Sequence, residues 1–276
     1  MLGQFWTRAT PGRLAAATCA ACLTLAVALP ASSSAQKRSR NEPIAPFSTV
    51  YGAAGTLLID VSKLNAHFER TDLDAKDRPG FFTLSNDGYS IGLGGYGAVY
   101  NRLLLGAEWH TADMGQESSP TGKTNQLATT YWMATGGYAA WTTWRMTLMP
   151  FVGIGTGTMK LTLKSRNGGA TVPDGIDPTF DEVIRSPGSI STMSGSYVMV
   201  QPGLGVDFLM LKSDASQMGV VIGLRFASTI SPNRTTWKYQ GREVFGGPDV
   251  GPSGGVVRII AGIGGFRLGS APAPRR

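Results

Sequence analysis

From residue 52 onward the chain sets apolar positions against small or polar ones in runs, and breaks the runs with polar loops. The stretches 55–69, 89–100, 103–112, 127–140, 146–164, 197–210, 218–229 and 256–268 are rich in Val, Ile, Leu, Tyr, Thr and Gly. No long 3.6-residue period competes, so the pattern predicts eight β-strands. Successive side chains of a strand point to opposite faces. In the sixth stretch Val198, Val200, Leu204, Val206 and Phe208 share one parity, against Met199, Gln201, Gly203, Gly205 and Asp207. The seventh sets Val220, Ile222, Leu224 and Phe226 against Gly219, Val221, Gly223 and Arg225, and the third sets Leu103, Leu105, Ala107 and Trp109 against Leu104, Gly106, Glu108 and His110. The less apolar face is mostly glycine and isolated charges, without the density of Lys, Glu and Asp that a solvated surface would carry. That composition suits a narrow lumen, with the apolar face turned outward. Parity slips at Gly94-Gly95 and Gly264-Gly265, where the glycine pairs are expected to host bulges.

The connections alternate in length. Short ones lie around Asn101, at Thr142-Thr143 between Trp141 and Trp144, and at 212–216, whereas 70–88, 113–126, 165–196 and 231–255 are long and loaded with Gly, Pro, Ser, Asn and Asp. Strict alternation around an even number of antiparallel strands is the pattern of outer-membrane barrels, with tight periplasmic turns and extended external loops. The fold expected is all-β, an eight-stranded antiparallel up-and-down transmembrane β-barrel over 52–269. Tyr96, Tyr100, Tyr138, Trp141, Trp144 and Phe208 fall near the short turns and are expected to form an aromatic girdle at that membrane boundary.

The N-terminus fits this destination. Arg8 and Arg13 precede an apolar stretch over 14–29, followed by Pro30 and the small residues Ala31-Ser32-Ser33-Ser34-Ala35, the layout of a secretory signal peptide cleaved after Ala35. Residues 36–51 are then expected to be a periplasmic segment and 270–276 a C-terminal tail. Cys19 and Cys22 both lie in the leader, leaving no thiol for a disulfide, a metal or a nucleophile. Loss of Arg8 and Arg13 from 25 basic and 18 acidic residues leaves a net charge of +5, with no basic stripe, so nucleic acid is not an expected partner. Mean hydropathy of -0.02 does not argue against a membrane, because a barrel strand buries one face in lipid and turns the other to the lumen.

With leader, eight strands, alternating turns and a closing run from Val256 to Leu268, the chain resembles the small outer-membrane β-barrels of the OmpA and OmpX type. The resemblance is architectural and covers 52–268. It implies a closing strand whose terminal aromatic is read by the barrel-assembly machinery, a role that falls to Phe266. The chain departs from the pattern by continuing past it, and no peptidoglycan-binding domain follows.

By parity, Asp60, Glu108, His110, Asp207, Arg225 and Arg258 are the ionisable residues that point inward. Buried charges persist only when paired, so these predict a salt-bridge network plugging the lumen, with a proton or ion relay as the rival. The two histidines, His67 and His110, read as lying near the external strand ends; His110 with Glu108 is the pair with geometry for acid–base work, and no serine nucleophile accompanies it. No catalytic residue, metal-ligand spacing, phosphate-binding loop or cofactor is expected. The function expected is a non-enzymatic outer-membrane barrel with long surface loops for structural or recognition roles. A small-molecule, porin-like channel is the second reading and a lipid A-modifying enzyme the third. Expected partners are outer-membrane lipids, the assembly machinery and an unidentified extracellular ligand held by the loops.

Overall fold

A computed structural model describes residues 47–69, 80–100, 102–119, 122–143, 145–165, 178–185, 189–212, 218–232 and 235–266. The expected leader, most of the N-terminal segment and the tail lie outside these residues. The strands are β1 (Phe47–Asp60), β2 (Asp87–Tyr100), β3 (Leu103–Ser118), β4 (Lys123–Tyr138), β5 (Trp141–Thr142), β6 (Met146–Ser165), β7 (Ile190–Lys212), β8 (Met218–Thr229), β9 (Thr236–Tyr239), β10 (Arg242–Val244) and β11 (Gly251–Phe266). Two short helices, α1 (Ser62–Glu69) and α2 (Phe180–Arg185), sit in the long connections.

Eight strands close on themselves in the order β1, β2, β3, β4, β6, β7, β8, β11, each antiparallel to the next and β11 paired back onto β1. The register fixes the barrel's girth. From Leu204 on β7, hydrogen-bonded partners lead through Phe226, Val257, Thr56, Tyr89, Asp113, Ala128 and Lys160 to Ser194, again on β7 but ten residues from Leu204. A shear of ten with eight strands gives a tilt of about 40° and an interior that side chains fill.

The strands are unequal. β8 has 12 residues and β1 has 14, whereas β6 has 20 and β7 has 23. A tilted strand needs only about 9 to 11 residues to cross a bilayer, so β6 and β7 run well beyond one, and their patterning inverts where they do. On β6 the outward positions Leu148, Pro150, Val152 and Ile154 give way to Thr156, Thr158, Lys160, Thr162 and Lys164, while the inward ones turn to Met159, Leu161 and Leu163, all fully buried. β4 inverts in the same way, with Trp132 outward below and Thr124, Gln126 and Thr130 outward above. The result is a tall wall built from β3, β4, β6, β7 and β9, apolar inside and, apart from Ile190 and Ala128, polar outside. Its inner face forms one core with the helices, containing Leu64 and Phe68 of α1 and Phe180, Val183 and Ile184 of α2.

Each helix is specified locally. Asp60 accepts hydrogen bonds from Ser62 N (3.0 Å) and Ser62 Oγ (2.6 Å), which ends β1 and starts α1. Thr179 and Glu182 form a capping box: Thr179 N donates to Glu182 Oε2 (2.8 Å) and Glu182 N donates to Thr179 Oγ1 (3.3 Å). That backbone bond holds the Glu182 carboxyl below its usual range. The helices meet where His67 Nδ1 lies 2.7 Å from Asp181 Oδ1 and the His67 ring stands edge-on to Phe180. Trp237 of the β9–β10 hairpin packs on Phe180 and donates to Pro248 O (2.8 Å). This hairpin turns through Gln240 and Gly241, both at positive φ, the conformation a two-residue turn between twisted strands demands.

The structure departs from the sequence pattern at several points. The first strand begins at Phe47, before the expected barrel start at 52, and it ends at Asp60; 62–69 is helical because its apolar residues Leu64 and Phe68 stand four apart, a spacing hidden inside a run read as strand. Asp60 is therefore not lumenal. Leu57 and Ile59 carry the inward parity of β1, and Asp60 is exposed as a helix-capping residue. Gly94-Gly95 and Gly264-Gly265 pair without a shift; the irregularities fall at 57–59, 98–100, 113–116 and 209–211.

Candidate functional site in the barrel lumen

Glu108, His110, Asp207, Arg225 and Arg258 all point inward and are buried, on β3, β7, β8 and β11. They form two groups. In the first, Glu108 is the hub: it accepts from Tyr51 Oη (2.6 Å) and from Arg258 Nη1 (3.1 Å), and its Oε2 lies 2.9 Å from His110 Nε2. Arg258 Nη2 donates to Tyr131 Oη (2.6 Å) and Gln201 Oε1 (3.4 Å), and Gln201 donates on to Thr229 Oγ1 (3.3 Å). The Tyr131 and His110 rings stack with centroids 5.1 Å apart. In the second group, Arg225 grips Asp207 with both terminal nitrogens while Tyr96 donates its hydroxyl to the same carboxylate. Tyr51 joins the groups, because the Arg225 guanidinium lies 5.7 Å from its ring centroid. With Asp60 removed, two carboxylates face two guanidiniums, and the layer is formally neutral.

Glycines make the room. Tyr51, Gly94 and Glu108 are successive partners in one row, so Tyr51 reaches Glu108 across a position with no side chain. A Cβ at Gly94 would lie 2.9 Å from both neighbours, and one at Gly223 would overlap Asp207 Oδ1. The inward glycines of the sequence are thus gaps that long side chains of adjacent strands occupy.

The layer leaves little space. A cavity of about 20 Å³ beside Tyr51, Tyr96, Met149 and Arg225 has room for about one water. Toward the short-turn end Leu104 and Met149 fill the bore, and toward the long-loop end the apolar core closes it. His110 is fully buried in the middle of β3, not near an external end, because β3 continues to Ser118. Among the described residues its Nδ1 has no hydrogen-bond partner, and it lies against Gly92. The other histidine, His67, is in α1. Among the described residues no serine bonds to His110, and no cluster of His, Cys, Asp and Glu fits a metal. His110→Ala is expected to leave lipid A unchanged by mass spectrometry; an acyl change present with wild type and lost in the variant would make His110 catalytic.

Tyr96 belongs to the lumen rather than to the girdle. Tyr138, Trp141 and Phe208 are exposed at the short-turn end (51%, 58% and 40%), whereas Tyr96 is buried with its hydroxyl on Asp207. Trp144 and the Tyr100 side chain lie outside the described residues, as does the side chain of Phe266, whose backbone pairs with Phe47 at the last rung of β1–β11. A second exposed aromatic group stands at the upper edge of the apolar surface. Trp109 and Trp132 are partners across β3–β4 with rings 6.2 Å apart, and Tyr89 is 62% exposed. Between the two groups the barrel strands turn Val, Ile, Leu, Ala, Gly, Pro or aromatic residues outward.

A closed eight-stranded wall with an apolar exterior, two aromatic edges and a polar lumen decides the fold. The chain has the fold of a small outer-membrane β-barrel. No protein-family model matches the sequence, and no curated protein matches it. Similar solved structures include Ail, the attachment invasion locus protein of Yersinia pestis, at 12% identity over 81% of this chain and 100% of that one, TM-score 0.37. A major outer membrane protein from Thermus thermophilus is similar at 9% identity over 80% of this chain and 99% of that one, TM-score 0.37. Neisserial surface protein A is similar at 10% identity, 81% and 99% coverage, TM-score 0.33. At such identities no function is transferred from them.

Proposed function

We propose that the chain is a non-enzymatic scaffold of a bacterial outer membrane, a sealed barrel that displays its long connections outside. The observation that carries this is the double closure of the lumen. A neutral, hydrogen-bonded layer of Glu108, His110, Asp207, Arg225 and Arg258 fills its middle, and an apolar core capped by two helices fills its long-loop half. A pore needs a continuous wet path, and an enzyme needs its acid–base pair within reach of a substrate; the Glu108–His110 pair is 5% and 0% exposed. The apolar exterior supports membrane residence, and the long connections support a recognition role.

Two measurements test it. The mature chain should fractionate with outer-membrane vesicles and run as a heat-modifiable band, and in planar bilayers it should give no unitary conductance steps. Recovery as a soluble periplasmic monomer removes the membrane reading. Reproducible ohmic steps from wild type replace the scaffold with the channel.

A further inference from the structure

The outer face of the tall wall carries a feature that the scaffold reading leaves unused. On β6 the last outward apolar residue is Ile154, and on β7 the outward surface turns from Val198 to Ser196 and Ser194. Beyond that line Lys160, Ser194 and Lys238 are successive partners across β6, β7 and β9. Both lysines are exposed and, by parity, face away from the core, and strand spacing puts their Cα atoms about 10 Å apart. Lys164 lies on the same face of β6, four residues on. Among the described residues none of the three makes an ion pair. Carboxylates flank the row on both sides: Glu243 lies opposite Lys238 on β10, and Asp113 lies two strands from Lys160, beyond Ala128, where it accepts a hydrogen bond from Gln126.

We propose that this face seats the phosphate-bearing headgroup of an outer-leaflet lipid, the phosphate lying between Lys160 and Lys238 over Ser194 and the acyl chains lying down the β6 and β7 exterior. This rests on the membrane residence proposed above. Height selects a lipid over a soluble anion. Lys160 is six residues beyond Ile154, which at the barrel's tilt is about 15 Å above the last apolar residue. A lysine stem reaches back several ångströms along the wall, bringing its ammonium toward the headgroup zone that flanks the hydrocarbon. Hydroxyl residues, Thr156 and Thr158 on β6 and Ser196 on β7, separate the patch from the apolar belt, and one amphiphile spans both. The hydroxyl of Ser194 between two ammonium groups supplies a neutral donor where a carboxylate would repel the phosphate.

The test uses the full mature chain reconstituted in phosphatidylcholine vesicles with lipid A carrying both phosphates, or with the dephosphorylated form, and counts the lipid retained by native mass spectrometry. Each lysine removed is expected to weaken retention of the phosphorylated form about fivefold. K160Q and K238Q should do so singly and together, E243Q should strengthen retention, and K63Q on α1 should change nothing. The dephosphorylated lipid should be indifferent to all four. If K160Q/K238Q retains the phosphorylated lipid as wild type does while still heat-modifiable, the seat is elsewhere and the inference is overturned. Tight capture of inorganic polyphosphate by detergent-free protein, with no preference for the lipid, also overturns it. A chain that never becomes heat-modifiable in vesicles fails at the earlier step and takes the membrane reading with it.

Discussion

Arg258→Ala is expected to destabilise the barrel by about 3 to 5 kcal/mol, the cost of leaving a buried ionic partner alone. Glu108 would keep Tyr51 and His110 but lose its cation, and Tyr131 and Gln201 would lose the donor that ties them to β11. Arg225→Ala should act alike through Asp207, which both terminal nitrogens of Arg225 hold. Leu224→Ala, one position away on β8 but 37% exposed toward lipid, should cost clearly less because lipid fills the gap. The midpoint of the heat-modifiable transition measures all three. A second change, Glu108→Gln in the Arg258→Ala background, should restore part of the loss. If both arginine variants match wild type in stability and conduct in planar bilayers, the charges form a gate. If neither stability nor conductance moves, the layer is not structural.

Trp237→Ala should cost about as much, roughly 3 to 5 kcal/mol, for a different reason. Its indole is 1% exposed, packs on Phe180, covers Gly195 and donates to Pro248 O, so truncation opens a cavity in the core of the tall wall and strands a carbonyl. This site lies away from the lumenal layer. Limited proteolysis should therefore cut the long connections faster in the variant while the membrane-embedded half keeps its heat-modifiability. Equal cutting rates in variant and wild type would mean that the helices and the β9–β10 hairpin are not held by this core.

Parity made the charged residues legible. Glu108, His110, Asp207, Arg225 and Arg258 stand on the less apolar face of strands whose other face is apolar, so period two alone points them inward. The contacts of Tyr51, Tyr131 and Gln201 were not legible. Each side chain is neutral and amphiphilic, and only the register that sets Tyr51 and Glu108 on either side of Gly94 reveals the contact. An inward glycine flanked in register by two long side chains is the signal that finds such pairs, and it needs the pairing rather than the sequence. Tyr96 misled for the same reason: a tyrosine near a short turn reads as a girdle residue until its partner, 111 residues away, is known.

The upper halves of β4, β6 and β7 were harder to read because their apolar face changes side. A run such as Thr192-Met193-Ser194-Gly195-Ser196 on β7 looks like loop when greasy positions are expected outward, yet Met193 is fully buried. The helices hid in the same connections. Thr179 and Glu182 carry the spacing of a capping box, but α2 has only six residues, too few for a period to show.

The inversion also divides the molecule thermally. Apolar side chains of the tall wall leave water when they pack, so their contribution carries a heat capacity and weakens as the temperature falls. The outward leucines and valines of the lower half meet hydrocarbon, not water, and the layer beneath the helices is held by hydrogen bonds and charge. Cooling is therefore expected to loosen the long-connection end of this protein before the membrane-embedded end.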